Sequence, residues 1–211
     1  MRRVDDSAET SRIMLGLLDA VEQDRAHSQR HLASELGIAL GLVNAYLKRC
    51  MKKGLVKMRQ APARRYAYYL TPQGFAEKSR LTVEYLSFSF GFFRQAKTDC
   101  SGLFRVAKLC GVRKVLLLGH SDLAEIAALC AMEQGIGIAG LVDEAMEGPF
   151  IGAPVFKTID GVDAAFDAVL VTDVRNARAT SEAAIARLGL DRVLVPDILR
   201  VRIRQEGGAA E

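Results

Sequence analysis

The chain has 211 residues, half of them apolar, a length that suits two modest domains better than one small one. It has no run of eighteen apolar residues, which excludes a membrane-spanning helix, and the charged stretch of residues 1–9 has no secretion-signal core, so the expected location is the cytoplasm. The net charge of +4 hides an asymmetry: residues 1–99 carry 17 Lys and Arg against 10 Asp and Glu, and residues 100–211 carry 12 against 15.

Helical signals open the chain. Asp6-Ser7-Ala8-Glu9 has the form of a capping box, and Ile13, Leu17 and Val21 follow at helical spacing with Met14 and Leu18 beside them. A second helix is expected from Ser28, with Leu32, Ala33 and Leu36 as its apolar stripe and Gly37 as its stop. A third runs from about Ala39 to Lys53. Val43, Tyr46, Leu47 and Cys50 form its buried face, and Gly54 ends it. Two short β-type runs, 55–60 and 66–70, are joined through Ala61-Pro62-Ala63-Arg64-Arg65 as a hairpin. Thr71 then caps a long helix that starts at Pro72 and extends to about Lys97, with Phe75, Leu81, Tyr85, Phe88 and Phe92 among its apolar positions.

This order of elements is a winged helix-turn-helix layout. Between Arg25 and Arg80 there are 12 basic residues against 2 acidic ones. Such density suits a polyanion, although charge alone fits a solvated basic face equally well. With its apolar stripe turned inward, the third helix turns Leu40, Gly41, Asn44, Ala45 and Lys48 outward, where a recognition helix meets base edges. Asn44 suits adenine, and Lys48 suits guanine or phosphate. Lys52, Lys53, Lys57 and Arg59 are placed to meet phosphates, and Arg64 and Arg65 at the hairpin tip suit a narrow minor groove.

Residues 28–75, SQRHLASELGIALGLVNAYLKRCMKKGLVKMRQAPARRYAYYLTPQGF, resemble the MarR-type winged helix, and most closely its branch associated with bacterial exopolysaccharide gene clusters. The phrases SQRHLASELGI, GLV and YLTPQG carry the likeness. It implies a homodimeric transcriptional regulator bound to double-stranded DNA. Ala39 stands where the family has a Ser or Thr cap. Cys50 stands where it has a core leucine, which favours a buried structural thiol over a redox sensor.

Residues 99–112 read as a linker with one short helix, and residues 205–211 as a disordered tail. Between them, residues 113–204 alternate strands with helices. Val115-Leu116-Leu117-Leu118 is a buried strand, followed by Gly119-His120-Ser121-Asp122 and a helix to about Gln134. Further strands are expected at 136–142, 167–172 and 192–195, with a helix at 176–188. The expected fold is thus a two-domain α/β chain, a winged helix-turn-helix followed by a Rossmann-like doubly wound parallel sheet.

Gly119 opens a turn after the first strand, and Asp143 closes the second strand 24 residues later. Backbone amides of the turn can hold phosphate and the acid can hold ribose hydroxyls, so Gly119, His120, Ser121, Asp122 and Asp143 are the candidate ligand residues. Ser121 and Ala124 stand where a GxGxxG motif needs glycine. GHSDLAEIA, GLVDE and GAPVF within residues 113–196 resemble the N-terminal domain of sugar O-acyltransferases, which implies a nucleotide-sugar ligand. The order of winged helix then Rossmann domain is similar to the Rex repressors, which implies NAD(H). A nucleotide-sugar enzyme with a DNA-binding appendage is the alternative from another class. No catalytic triad, paired carboxylates or metal-ligand spacing stands out, so neither catalysis nor a metal is expected.

Overall fold

A computed structural model describes residues 2–23, 29–61 and 65–199. It divides the chain into two compact units, residues 1–89 and 90–211. Among the described residues, no helix is long and apolar enough to cross a membrane.

The first unit begins with α1, Arg2–Glu22. The helix passes straight through the expected capping box at residues 6–9, since no glycine or proline interrupts it there. Leu17, Leu18, Met14 and Val21 are buried, the stripe that the spacing predicts. α2 is Gln29–Leu36 and α3 is Leu40–Lys52. The expected start at Ser28 lies outside the described residues. Val43, Leu47 and Cys50 of α3 are buried with Leu32 of α2 in one core. Tyr46 is only partly buried, because its hydroxyl donates to Thr10 Oγ1 of α1 at 3.1 Å. Ala39 begins α3 with no side-chain cap. β1, Val56–Ala61, pairs antiparallel with β2, Arg65–Leu70, from Val56 opposite Leu70 to Ala61 opposite Arg65.

Thr71 starts α4, Pro72–Leu109, as expected. Its hydroxyl accepts the Gly74 N–H at 3.0 Å and donates to the Gly54 carbonyl at 2.6 Å, so one side chain caps α4 and ties it to the end of α3. Lys78 of α4 pairs with Asp19 at 2.7 Å and with Glu22, both on α1. Leu81 completes the core.

α4 is where the expected linker fails. The helix does not stop near Lys97 but continues to Leu109, and the second unit begins within it at Phe90. Ala96, Cys100, Phe104 and Ala107 recur at helical spacing and all are buried, the first three in the second core. Burial of that stripe outweighs the weak helix propensity of Asp99, Ser101 and Gly102. The helix ends in a Schellman motif, with Gly111 N–H on Lys108 O and Val112 N–H on Ala107 O.

The second unit holds a five-stranded sheet built from β3 (Lys114–Leu118), β4 (Gly137–Val142), β5 (Val155–Phe156), β6 (Ala168–Val171) and β7 (Val193–Leu194). Every pair is parallel and the order is β5-β4-β3-β6-β7, so the first strand of the unit lies at the centre. α5, Asp122–Gln134, crosses from β3 to β4, and α6, Ala177–Leu188, crosses from β6 to β7 in the opposite direction. Right-handed crossovers running opposite ways place the two helices on opposite faces. The second half of α4 lies against α5, through Lys97–Glu133 at 2.7 Å and Lys108 Nζ donating to Gln134 O. β5 was not expected as a strand, and no helix precedes it after β4. The expected tail, 205–211, lies outside the described residues.

The four cysteines are all free thiols, and only Cys110 is exposed. Burial pushes the Cys50 thiol up to about 11 against the pull of Lys53 and Arg49, and pushes Cys100 up to about 12. Both stay protonated, and slow to react, at pH 8. A disulfide reagent at that pH should therefore find one fast thiol per chain, and all four only after unfolding. Cys110→Ser should remove the fast phase. A fast phase that survives this change would disprove the assignment.

Candidate functional site

Two regions bring the expected functional residues together, one in each unit. In the first, the buried stripe of α3 fixes what the helix presents to solvent. Leu40, Gly41, Ala45 and Lys48 are exposed, and Asn44 is partly covered. Lys52 and Lys53 at the C-terminal end of α3, and Lys57 and Arg59 on β1, are exposed as well. Lys57 and Arg59 alternate with Met58 along the strand, so both cations leave the same side of the hairpin. Arg64 lies outside the described residues. Arg65 opens β2 opposite Ala61, with its side chain outside the description. The sequence reading missed Arg49 and Leu42 on α3 and Arg30 on α2, all exposed. Arg49 follows Ala45 by one turn, so the 3.6-residue period carried its signal. This is a helix surface with at least three cations, flanked by a basic strand, and it can neutralise several phosphates at once.

In the second unit the sheet register builds the site. Leu118 pairs with Val142 on one side and with Val171 on the other, so the residues after all three strands reach the same carboxyl edge. There Gly119 turns with φ +96. A Cβ on it would lie 2.7 Å from the Asp173 Cα and 2.8 Å from its nitrogen, so only glycine lets the two strand ends come this close. Ser121 caps α5 by accepting the Ala124 N–H at 3.4 Å, and its hydroxyl donates to Thr172 O at 2.6 Å. The buried Thr172 hydroxyl donates in turn to the Gly119 carbonyl at 2.6 Å.

Asp143 lies where the sequence places it, at the end of β4. Its Oδ2 accepts the His120 N–H at 2.8 Å, and its Oδ1 accepts the N–H groups of Ala145 and Met146, both at 2.9 Å. Burial pushes its pKa up, but the amides of His120, Met146 and Ala145 outweigh burial and hold it below the ordinary value. Three of its four lone-pair sites are filled, which leaves one for a ligand hydroxyl. His120 is exposed and packs edge-on against Phe150, ring centroids 6.0 Å apart.

The turn offers fewer donors than expected. The Gly119 N–H is taken by Val142 O, and that of His120 by Asp143. The amides of Ser121, Asp122 and Leu123, at the N-cap and first turn of α5, are left without a bond among the described residues.

Gly119 and Asp143 border a cleft of about 540 Å³ that also takes in Glu144, Lys157, Asp173 and Asn176. Asp173, missed by the sequence reading, lies just past the end of β6. Its Oδ1 accepts the amides of Arg175 and Asn176, and its Oδ2 accepts the Thr180 hydroxyl. The signal was present, an acid just past an apolar strand, much as at Asp143. Lys157 Nζ donates to the carbonyls of Glu144 and Met146 and pins the loop after β4. Three carboxylates and one ammonium make the cleft net acidic, a surface suited to hydroxyl groups at the strand ends.

The two units thus define a winged helix-turn-helix joined to an α/β domain with a Rossmann-like parallel sheet. Residues 10–57 match the family model described as winged helix-turn-helix DNA-binding. Among solved structures, the chain is similar to the PcaV transcriptional regulator from Streptomyces coelicolor, solved with its natural ligand. The identity is 22% and the TM-score 0.36, over 38% of this chain and 59% of that one. A MarR family transcription regulator is similar at 21% identity and TM-score 0.36, over 43% of this chain and 66% of that one. The chain therefore spans no more than about two thirds of either regulator. An O-methyltransferase from neocarzinostatin biosynthesis, solved with S-adenosyl-L-homocysteine, is similar at 14% identity and TM-score 0.36, over 90% of this chain and 82% of that one. No curated protein matches the chain. All three TM-scores fall below 0.5, and no function passes from these proteins to this chain.

Proposed function

We propose that the chain is a transcriptional regulator that binds double-stranded DNA through α3 and the β1–β2 wing and responds to a small molecule held at the carboxyl edge of its sheet. The observation that supports this most directly is the exposed row of Lys48, Arg49, Lys52 and Lys53 on and beside α3, in a segment that matches a DNA-binding winged helix. The MarR-like phrases of residues 28–75 and the acyltransferase-like phrases of residues 113–196 support polysaccharide or nucleotide-sugar genes as targets. Phe75, Tyr85 and Phe88 of α4 are 47%, 49% and 70% exposed, and a homodimer would bury them.

Replacing both Lys52 and Lys57 with Ala should weaken operator binding and lower the slope of log affinity against log salt by up to about two units. Asn44→Ala should instead relax specificity at one or two base pairs. If a gel-shift series over several salt concentrations gives an unchanged affinity and slope for the double variant, this face is not the DNA interface.

The effector is a nucleotide-type molecule, with ribose or sugar hydroxyls toward Asp143 and Asp173 and its phosphate at the start of α5. The carboxylates that line the cleft favour a nucleotide sugar, rich in hydroxyls, over NADH. Calorimetry of the full chain against UDP-sugars, NADH and NAD should give a dissociation constant below about 1 mM for a UDP-sugar. Tighter binding of NADH would support a Rex-like redox sensor, and turnover of the sugar would make the chain an enzyme. If none of the three binds, the cleft is not the sensor.

A further inference from the structure

A second groove lies on the same unit, away from the cleft. It is formed by the outward face of α4 and has a volume of about 530 Å³. Arg94, Lys97, Thr98, Ser101, Gly102 and Arg105 recur at intervals of three and four, so they share one side of the helix. The opposite side carries Ala96, Cys100 and Phe104, all fully buried, so the groove has a rigid back. Gln134, at the end of α5, closes one wall.

Its chemistry is cationic. Among the described residues, neither Arg94 nor Arg105 makes an ion pair, whereas Arg80 and Arg178, elsewhere on helices, do. Lys97 is held by Glu133 at 2.7 Å. Asp99, the nearest other acid on α4, is turned to Gln95 and to the Ile198 N–H. Three cations therefore face a single carboxylate. Helical side chains lean toward the N-terminus, which brings Arg105 over Ser101 and Gly102. The Ser101 hydroxyl makes no hydrogen bond among the described residues.

Gly102 is the telling residue. Glycine in mid-helix is unfavourable relative to alanine. Its backbone is ordinary helix, and a Cβ there would meet nothing within 4 Å. Packing within the protein therefore does not require it, but the bare backbone leaves the groove floor open between the two arginines.

We infer that this groove binds a small organic phosphate carrying at least two negative charges. The cations would take its phosphate oxygens through charge-assisted bonds, bidentate where a guanidinium is used, and Ser101 would add a hydroxyl. About 16 Å of helix axis separates the arginine Cα atoms, with Lys97 and Ser101 between them, a span that long flexible guanidinium side chains can close onto one multiply charged phosphate. This site is separate from the sheet-edge cleft and shares no lining residue with it.

Inorganic pyrophosphate is the probe, titrated into the full chain by calorimetry at low salt. We expect saturable binding below about 1 mM. Binding should weaken at least about tenfold in Arg94→Ala/Arg105→Ala, and also in Gly102→Leu, which fills the floor with a good helix former. Affinity unchanged in both variants, or no saturable binding by the wild-type chain, would overturn the site. Loss of operator affinity in the arginine variant with pyrophosphate binding intact would also overturn it, and would assign the groove to DNA.

Discussion

Gly74→Ala should unfold the winged-helix unit at a temperature at least about 10 °C lower than the wild type and abolish operator binding. Gly74 lies in the first turn of α4, and a Cβ there would overlap the Leu55 carbonyl oxygen and come within 3.0 Å of its carbon. Leu55 cannot yield cheaply, because its carbonyl accepts the Thr71 N–H at 3.0 Å and lies 3.3 Å from the Thr71 hydroxyl. Moving α4 instead would break the Thr71 cap and its bond to Gly54 O. Overpacking costs about 1–3 kcal/mol and a lost cap about 1 more, so a total near 3 kcal/mol is expected. For a domain of this size each kcal/mol lowers the midpoint by about 4–8 °C. Thermal unfolding followed by circular dichroism, with a gel shift at 25 °C, measures both effects. A midpoint within about 2 °C of the wild type would show that α4 does not dock on Leu55 as described.

The second large effect is expected at Phe104, in the segment that reads as a linker. Phe104 is the largest fully buried side chain among the described residues. Its truncation to alanine should cost about 3–5 kcal/mol, from lost burial and from the cavity left behind. Val106, two residues on and 58% exposed, is the control, and its replacement by alanine should change stability by less than about 0.5 kcal/mol. Urea unfolding of the two variants decides the matter. Equal and small losses would mean that residues 99–112 are a linker after all, and that this part of α4 does not belong to the second core.

The winged helix was legible because its signals are local. The α3 stripe, the stops at Gly37 and Gly54, and Thr71 with Pro72 all act within one or two turns. Each appears where the spacing puts it, to within a residue or two. The strands at 114–118 and 137–142 were legible for a similar reason, as apolar runs buried on both faces. β5 was not. Two residues carry no period, and Val155-Phe156 is a strand only because Leu141 and Val142 lie beside it. Residues 99–112 read as a linker although Ala96, Cys100, Phe104 and Ala107 recur at helical spacing, a period that carries α4 through Asp99, Ser101 and Gly102.

The candidate cleft was half legible. Gly119 and Asp143 could be found because acids and glycines at strand ends have meaning in a parallel sheet. What Asp143 does there depends on the path of residues 144–146, which no spacing rule supplies, and so its three amide bonds were invisible. Asp173 was overlooked although an acid just past an apolar strand carries much the same signal; β6 ends at Val171, so Thr172 takes the position that Asp143 has after β4 and Asp173 lies one residue further on.

The order of strands across the sheet has a consequence for how the chain is made. β3 is the first strand of its sheet to leave the ribosome, yet it lies between β4 and β6, and its pairing with β6 must wait for about fifty more residues. The contacts of the winged-helix unit are complete by residue 89. Domains synthesised first generally fold first, and local contacts form faster than distant ones. The N-terminal unit can therefore be finished while the half of α4 bearing Cys100 and Phe104 has emerged and still has no sheet to cover. Until Val169 and Leu170 arrive, that apolar stripe is the part of the nascent chain most in need of a chaperone.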